Sequence, residues 1–132
     1  MEVKRVEPQQ VKELLDGDES YIYLDVRTAD EFQAGHVPEA INVPVMLRNP
    51  NGPGMMPNAD FLAQVEDKLQ KSDKIITGCL RGGRSMKAAQ ILLTSGFENV
   101  TDMRGGYDGE LDPGGNMVFE GWARRGLPTT TD

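Results

Sequence analysis

One short stretch of the chain gathers the residue types that could do covalent chemistry around a single thiol. Cys79 opens the sequence Cys-Leu-Arg-Gly-Gly-Arg-Ser, which spans residues 79–85 and follows an apolar run. Its two glycines permit backbone conformations closed to other residues, so successive amide N–H groups can converge on an anion. Its two arginines and the start of a predicted helix favour the thiolate form of the cysteine. The stretch predicts a nucleophilic thiolate rather than an inert buried thiol.

Composition limits the chemistry further. The 132 residues carry a formal net charge of −7, which argues against a nucleic-acid or anionic-membrane partner because phosphates would be repelled. A single cysteine excludes an intrachain disulfide and a cysteine-rich metal cage, and we expect neither a metal nor a cofactor. No run of the roughly 18 apolar residues that a membrane helix needs is present. We expect one soluble, unexported domain over residues 1–132.

Strands and helices alternate along the sequence. Apolar runs predict strands over residues 21–26, 40–43, 74–77 and 99–103. Helical spacing and end signals predict helices over residues 8–17, 28–35, 61–69 and 85–95, the third capped by Asn58. Prolines, glycines and asparagines predict a long loop over residues 48–58, and a final helical turn is predicted over residues 119–125.

This alternation predicts an α/β fold with three layers: a parallel sheet of about five strands covered by helices on both faces. In such sheets, ligands bind at the carboxyl ends of the strands. Cys79 falls at that edge. Asp25, which ends another strand at the same edge, is a candidate for the pocket floor.

The motifs resemble those of the rhodanese family. Cys-x-x-Gly-x-Arg-Ser after an apolar strand is similar to the active-site loop of that family. Further stretches resemble its other signatures: Leu-Asp-Val-Arg at 24–27, Gly-His-Val-Pro-Glu-Ala-Ile-Asn at 35–42, Arg-Gly-Gly at 104–106 and Trp-Ala-Arg-Arg-Gly-Leu-Pro at 122–128. The order and spacing match over nearly the whole chain, most closely those of single-domain plant senescence-associated and bacterial members.

The resemblance implies a three-layer rhodanese-like fold and a sulfurtransferase. Cys79 would take the outer sulfur of thiosulfate as a persulfide and pass it to cyanide, a thiol or an acceptor protein. Arg81 would steer thiosulfate, whereas Arg84 would either contact the anion or brace the loop through an ion pair. The residues expected to bind substrate are Leu80, Arg81, Gly82, Gly83, Arg84 and Ser85.

Two other functions stay open at this point. Cysteine phosphatases and arsenate reductases place one residue more between the nucleophile and the arginine than the four that separate Cys79 from Arg84. A rhodanese-like domain can also serve as a binding or sulfur-relay module. The compartment is expected to be the cytoplasm, or the plastid stroma if the chain is a mature plant form.

Residues outside the loop receive mostly structural interpretations. His36 is remote in sequence from the nucleophile and is expected to make a structural hydrogen bond, and Arg27 and Glu31 are expected to pair with each other. Trp122 is expected to anchor the core. The glycine-rich and acidic segment 107–121 is longer than is usual after Arg-Gly-Gly in the family, and we expect it to overhang the pocket and tune the choice of acceptor.

Overall fold

The computed structural model describes residues 2–132, which form nine strands and four helices. In chain order the elements are β1 (Lys4–Val6), α1 (Pro8–Asp16), β2 (Ile22–Asp25), α2 (Ala29–Ala34), β3 (Ile41–Asn42), β4 (Met46–Arg48), β5 (Met55–Pro57), α3 (Phe61–Lys68), β6 (Lys74–Gly78), α4 (Gly83–Thr94), β7 (Asn99–Met103), β8 (Gly109–Leu111) and β9 (Met117–Glu120). Among these residues no helix is long and apolar enough to cross a membrane.

A five-stranded parallel sheet forms the centre of the fold, in the order β1-β7-β6-β2-β3. The middle strand, β6, ends at Gly78, directly before Cys79. Its neighbours place carboxylates on either side, because Asp25 of β2 pairs with Gly78 and Asp102 of β7 pairs with Thr77. The expected α/β sheet is confirmed, and Cys79 lies at its carboxyl edge.

Both faces of the sheet are covered. On one face, Leu24 and Ile75 pack with the inner residues of α3 and α4, among them Val65 and Leu92. On the other, Tyr23 and Ile76 pack with Val11 of α1 and with Trp122 of the C-terminal segment. Successive residues of a strand point to opposite faces, so these apolar strands are buried on both sides. Trp122, only 1% exposed, anchors the core as expected.

The first strand was not predicted from the sequence. β1 has only three residues, and Lys4 and Arg5 are exposed, so no apolar run marks it. It becomes a strand because its backbone pairs with β7 at the sheet edge. The pairing brings Arg5 opposite Asp102, which matters for the site.

Two irregular segments differ from prediction. Residues 48–58 are not all loop, because β4 and β5 form an antiparallel hairpin whose second strand is exposed at all three residues and shows no apolar alternation. The helical turn predicted over 119–125 begins later than expected, because Met117–Glu120 pairs with Gly109–Leu111 as a second hairpin, whereas the Arg125 N–H donates to the Gly121 carbonyl at 3.3 Å in a turn. The cap of α3 is Asp60 rather than Asn58, whose side-chain oxygen instead accepts the Asp60 N–H at 3.0 Å.

Candidate active site

The loop between β6 and α4 wraps around the sulfur of Cys79. Gly82, the N-cap of α4, adopts φ 118°, a left-handed conformation that favours glycine. In this conformation its N–H donates to the Cys79 Sγ at 3.0 Å. The Ser85 hydroxyl oxygen lies 3.4 Å from the same sulfur and donates to the Gly82 carbonyl at 3.2 Å. The sulfur therefore already has polar partners suited to a negative charge.

The helix that follows adds a favourable field. Residues Gly83–Thr94 form the longest helix of the described chain, and its N-terminus opens at the cysteine loop. The unpaired N–H groups at a helix N-terminus carry partial positive charge that stabilises anions. Cys79 is 2% exposed, so this field acts with little screening by solvent. The arrangement suits a thiolate or a persulfide anion on Cys79.

Arg84, at the start of α4, is held by Glu31 of α2. Its Nη1 and Nη2 donate to the two Glu31 oxygens at 2.7 and 3.0 Å, and Thr28 completes a capping box with the same carboxylate. Partial burial raises the pKa of Glu31, but the hydrogen bonds from Arg84 and Thr28 outweigh it and hold this pKa at about 2, below its ordinary 4.5. Arg84 was expected either to contact the anion or to brace the loop through an ion pair, and the geometry favours the second role.

The prediction that Arg27 pairs with Glu31 is wrong. Arg27 instead folds back onto Asp25, with Nη2 to Oδ2 at 2.7 Å and Nε to Oδ1 at 3.0 Å, and both side chains are buried. Its Nη2 also donates to the Gly35 carbonyl at 2.7 Å, and its guanidinium lies 4.5 Å from the centre of the Tyr107 ring. Asp25 reaches the expected sheet edge, but its carboxylate is engaged in orienting Arg27.

Arg81 does not extend freely into solvent. Its Nη1 donates to the Asp108 carboxylate at 2.9 Å and to the Gly109 carbonyl at 3.2 Å, although the side chain is 42% exposed. The second Asp108 oxygen accepts from Arg124 at 3.0 Å. A charged residue of the long C-terminal segment thus holds the arginine expected to steer the donor.

The backbone after β7 packs against the cysteine loop. Tyr107 and Asp108 donate their N–H groups to the carbonyls of Cys79 and Leu80, at 2.7 and 2.9 Å. Gly106, with φ 65°, approaches so closely that an added Cβ would lie 2.5 Å from the Cys79 carbonyl oxygen. The root of segment 107–121 therefore contacts the active-site loop. At the tip of segment 107–121, the Asp112 side chain accepts hydrogen bonds from the N–H groups of Gly114 and Asn116, both within the segment itself.

Sequence reasoning missed one buried carboxylate on β7, opposite Thr77 of the strand that leads to Cys79. Asp102 is 0% exposed, accepts the Thr77 hydroxyl at 3.0 Å and pairs with Arg5 Nε at 3.0 Å. Burial raises the pKa of Asp102 above its ordinary 3.8, and the Thr77 hydrogen bond and the charge of Arg5 offset only part of that rise. An acidic residue interrupting the apolar end of a predicted strand was the available signal.

His36 makes structural contacts, and the β4–β5 hairpin brings a methionine to Arg84. His36 is buried, stacks on the Phe32 ring at 3.6 Å between centroids and donates from Nδ1 to the Phe32 carbonyl at 2.7 Å, in keeping with a structural role. In the β4–β5 hairpin, Met55 reaches within 3.9 Å of Arg84, and Met56 is exposed. Residues 2–132 hold no group of three or more His, Cys, Asp or Glu side chains placed to bind a metal.

Comparisons with known proteins agree with this geometry. The family model described as Rhodanese-like domain matches residues 7–110. Thiosulfate sulfurtransferase 16, chloroplastic, of Arabidopsis thaliana is 49% identical over 107 residues, covering 81% of this chain and 78% of that protein. Senescence-associated protein DIN1 of Raphanus sativus is 54% identical over 87 residues, covering 66% of this chain and 46% of that protein. The crystal structure of Rv0390 from M. tuberculosis superposes with a TM-score of 0.80 at 26% identity, and each chain is covered completely.

Proposed function

This chain belongs to the rhodanese-like family of sulfurtransferases, and on that premise we propose that it moves sulfane sulfur from thiosulfate to cyanide or a thiol through a persulfide on Cys79. The observation that carries the proposal is the 3.0 Å hydrogen bond from the Gly82 N–H to the Cys79 sulfur at the head of α4. It supports an anionic sulfur at the head of α4.

The proposed reaction has two balanced halves. The Cys79 thiolate attacks the outer sulfur of thiosulfate; a new S–S bond forms, and the thiosulfate S–S bond breaks with its electron pair leaving on sulfite. Cyanide then attacks the outer sulfur of the persulfide, and the thiolate returns as thiocyanate departs. Sulfite is a good leaving group, so no general acid is required.

The loop residues have separate proposed roles. The backbone amides of Leu80, Gly82, Gly83 and Ser85 would hold the persulfide anion. Arg81 would bind the oxyanion end of thiosulfate, and it would have to exchange its contact with Asp108 for the donor. Arg84 would keep the loop in shape through Glu31 rather than contact the substrate. Asp25, whose carboxylate accepts hydrogen bonds from Arg27, would organise the floor of the pocket.

Steady-state kinetics would test the proposal. Thiocyanate formation, followed while thiosulfate and cyanide are varied, should give parallel double-reciprocal lines, because the single cysteine is discharged before it is recharged. The Cys79→Ser variant should form no thiocyanate above background. Turnover of a phosphate ester or of arsenate, with none of thiosulfate, would favour the phosphatase or arsenate reductase alternative.

A binding or sulfur-relay module would behave differently. It would accept sulfur but turn over slowly with cyanide, and rapid discharge would require a protein or thiol acceptor. Comparison of cyanide, a small thiol and a protein thiol as acceptors separates this case from the enzyme. For the compartment we propose a plastid stroma or the cytoplasm, the former because the relative named thiosulfate sulfurtransferase 16 is described as chloroplastic.

A further inference from the structure

A charge pair with one fully buried partner lies next to the cysteine loop. The Asp102 carboxylate, fully buried at the carboxyl end of β7, accepts from Thr77 on one oxygen and from Arg5 on the other, each at 3.0 Å. Thr77 precedes Gly78 and Cys79 on the central strand. A negative charge is therefore held on the strand next to the one that carries the nucleophile.

Arg5 reaches the loop itself. A Cβ added at Gly82 would lie 2.8 Å from the Arg5 Nη2, so the guanidinium packs directly on the residue whose N–H holds the Cys79 sulfur. Arg5 comes from the N-terminal strand β1, and its side chain is 33% exposed. The cation of this pair thus contacts the loop at Gly82, while the carboxylate lies on the neighbouring strand β7.

Gly82 connects the pair to the sulfur. Its N–H donates to the Cys79 sulfur at 3.0 Å, and its carbonyl accepts the Ser85 hydroxyl at 3.2 Å, whose oxygen lies 3.4 Å from the same sulfur. Arg5 packs on this glycine. The charge pair is therefore one residue contact away from the hydrogen bonds around the sulfur.

Other charged groups lie near this cluster. Glu110 of β8 lies 4.0 Å from the Arg5 Nη2 and also pairs with Arg104. Burial, followed by the charges of Asp25, Cys79 and Asp102, raises the pKa of Tyr23 of β2, and Arg84 interacts electrostatically with Cys79. The loop contributes Cys79 itself. Arg5 is thus the cation in direct contact with Asp102 in the described residues.

We propose that Arg5 is a positioning residue for the sulfur-transfer site, because it neutralises the buried Asp102 carboxylate next to the loop. With its charge neutralised, Asp102 accepts from Thr77 without opposing the Cys79 thiolate. This inference rests on the proposed function of Cys79 as the nucleophile. It adds an assignment for a strand that lies far from the loop in sequence.

The experiment measures alkylation of Cys79 by iodoacetamide, which reports the thiolate without any sulfur donor. The variants are Arg5→Met, Asp102→Asn and the double variant, and Lys4→Met is the control because it removes a cation from the same strand away from the pair. Rates are measured at pH 7 and pH 10, and cooperative thermal unfolding is checked for each variant.

Arg5→Met removes the positive charge that balances the Asp102 carboxylate. The rate of Cys79 alkylation in this variant should fall about tenfold at pH 7 and should stay near the wild-type rate at pH 10. Removing the carboxylate as well should restore the pH 7 rate, which loss of a merely structural contact would not do. Asp102→Asn alone and Lys4→Met should react at least as fast as the wild type.

Several results would overturn the inference. These are an Arg5→Met rate equal to the wild type, a double variant as slow as Arg5→Met, or a slow Asp102→Asn protein. If Arg5→Met fails to fold, the alkylation rate of the Asp102→Asn variant still tests the inference. If alkylation behaves as expected but thiosulfate is not turned over, the pair's role stands and the proposed sulfurtransferase function fails.

Discussion

Arg84 and Glu31 form a two-point ion pair, with nitrogen–oxygen distances of 2.7 and 3.0 Å, that ties the first turn of α4 to the first turn of α2. It joins two elements 53 residues apart, and both side chains are largely buried. The cysteine loop lies immediately before Arg84, so this pair fixes one end of the cradle. The other end is fixed by the strand β6.

The ion pair makes stability depend on pH in the acid range. The folded-state pKa of Glu31, at about 2, is below its ordinary 4.5, so the stabilisation is present above pH 4.5 and is lost as pH falls towards 2. Glu31→Gln should lower the free energy of unfolding by about 1 to 2 kcal/mol at pH 7, a figure reduced for partial exposure. Urea unfolding at pH 7 and at pH 3 measures both effects.

Glu66→Gln is the matched control, since Glu66 pairs with Lys71 and both side chains are well exposed. This exposed pair should contribute little, so the control should unfold like the wild type. The difference between Glu31→Gln and the wild type should shrink at pH 3. An equal difference at both pH values would contradict the linkage.

Arg81 should act on the binding of thiosulfate more than on the chemical step. Arg81→Met should raise the KM for thiosulfate about tenfold with a smaller change in kcat, because a charge-assisted contact to the oxyanion is lost. Arg124→Met, which removes the other partner of Asp108 outside the loop, should leave this KM close to the wild-type value. Equal KM values for Arg81→Met and the wild type would exclude Arg81 from donor binding.

Gly106 should be far less tolerant of a side chain than Gly126. Both have positive φ, but an added Cβ meets backbone atoms of Cys79 and Leu80 only at Gly106, whereas nothing lies within 4 Å at Gly126. Gly126→Ala should cost about 1 kcal/mol from the left-handed backbone, and Gly106→Ala about 3 kcal/mol because overpacking adds to it. Thermal unfolding and thiocyanate formation measure the two variants; equal losses would show that the close approach is unimportant.

The hairpin after the active site should influence acceptors rather than donors. Replacing residues 112–116 by an Asn-Gly turn keeps the Leu111–Met117 pairing and the contacts of Asp108 with Arg81. Persulfide formation from thiosulfate should then be unchanged, while the relative rates of discharge by cyanide and by a thiol should change. An unchanged acceptor preference would show that the tip has no part in acceptor choice.

The sequence was sufficient for four of the five strands of the central sheet, the two-faced core and the location of Cys79. Those features are encoded locally: apolar runs mark β2, β6 and β7, and the glycines of the loop follow directly after one of them. The family motifs gave the function class in the same way, because residues 79–85 are contiguous. Contiguity makes these features visible without coordinates.

Features created by long-range pairing were not visible. β1 exists because its backbone completes the edge beside β7, and its sequence of Lys-Arg-Val carries no strand pattern. The partners in ion pairs were also not predictable from the sequence. Arg27 was expected to pair with Glu31, but in the structure Glu31 pairs with Arg84. Asp102 became a candidate only when the sheet register placed it opposite Thr77 and Arg5.

Intact mass spectrometry tests the central claim most directly. The protein is incubated with thiosulfate, freed of excess reagent and weighed beside the Cys79→Ser variant, and cyanide is then added. The account predicts a gain of about 32 Da, one sulfur atom, that is absent from the variant and is released by cyanide as thiocyanate. No gain with thiosulfate or with a second sulfane donor such as mercaptopyruvate would contradict the persulfide mechanism.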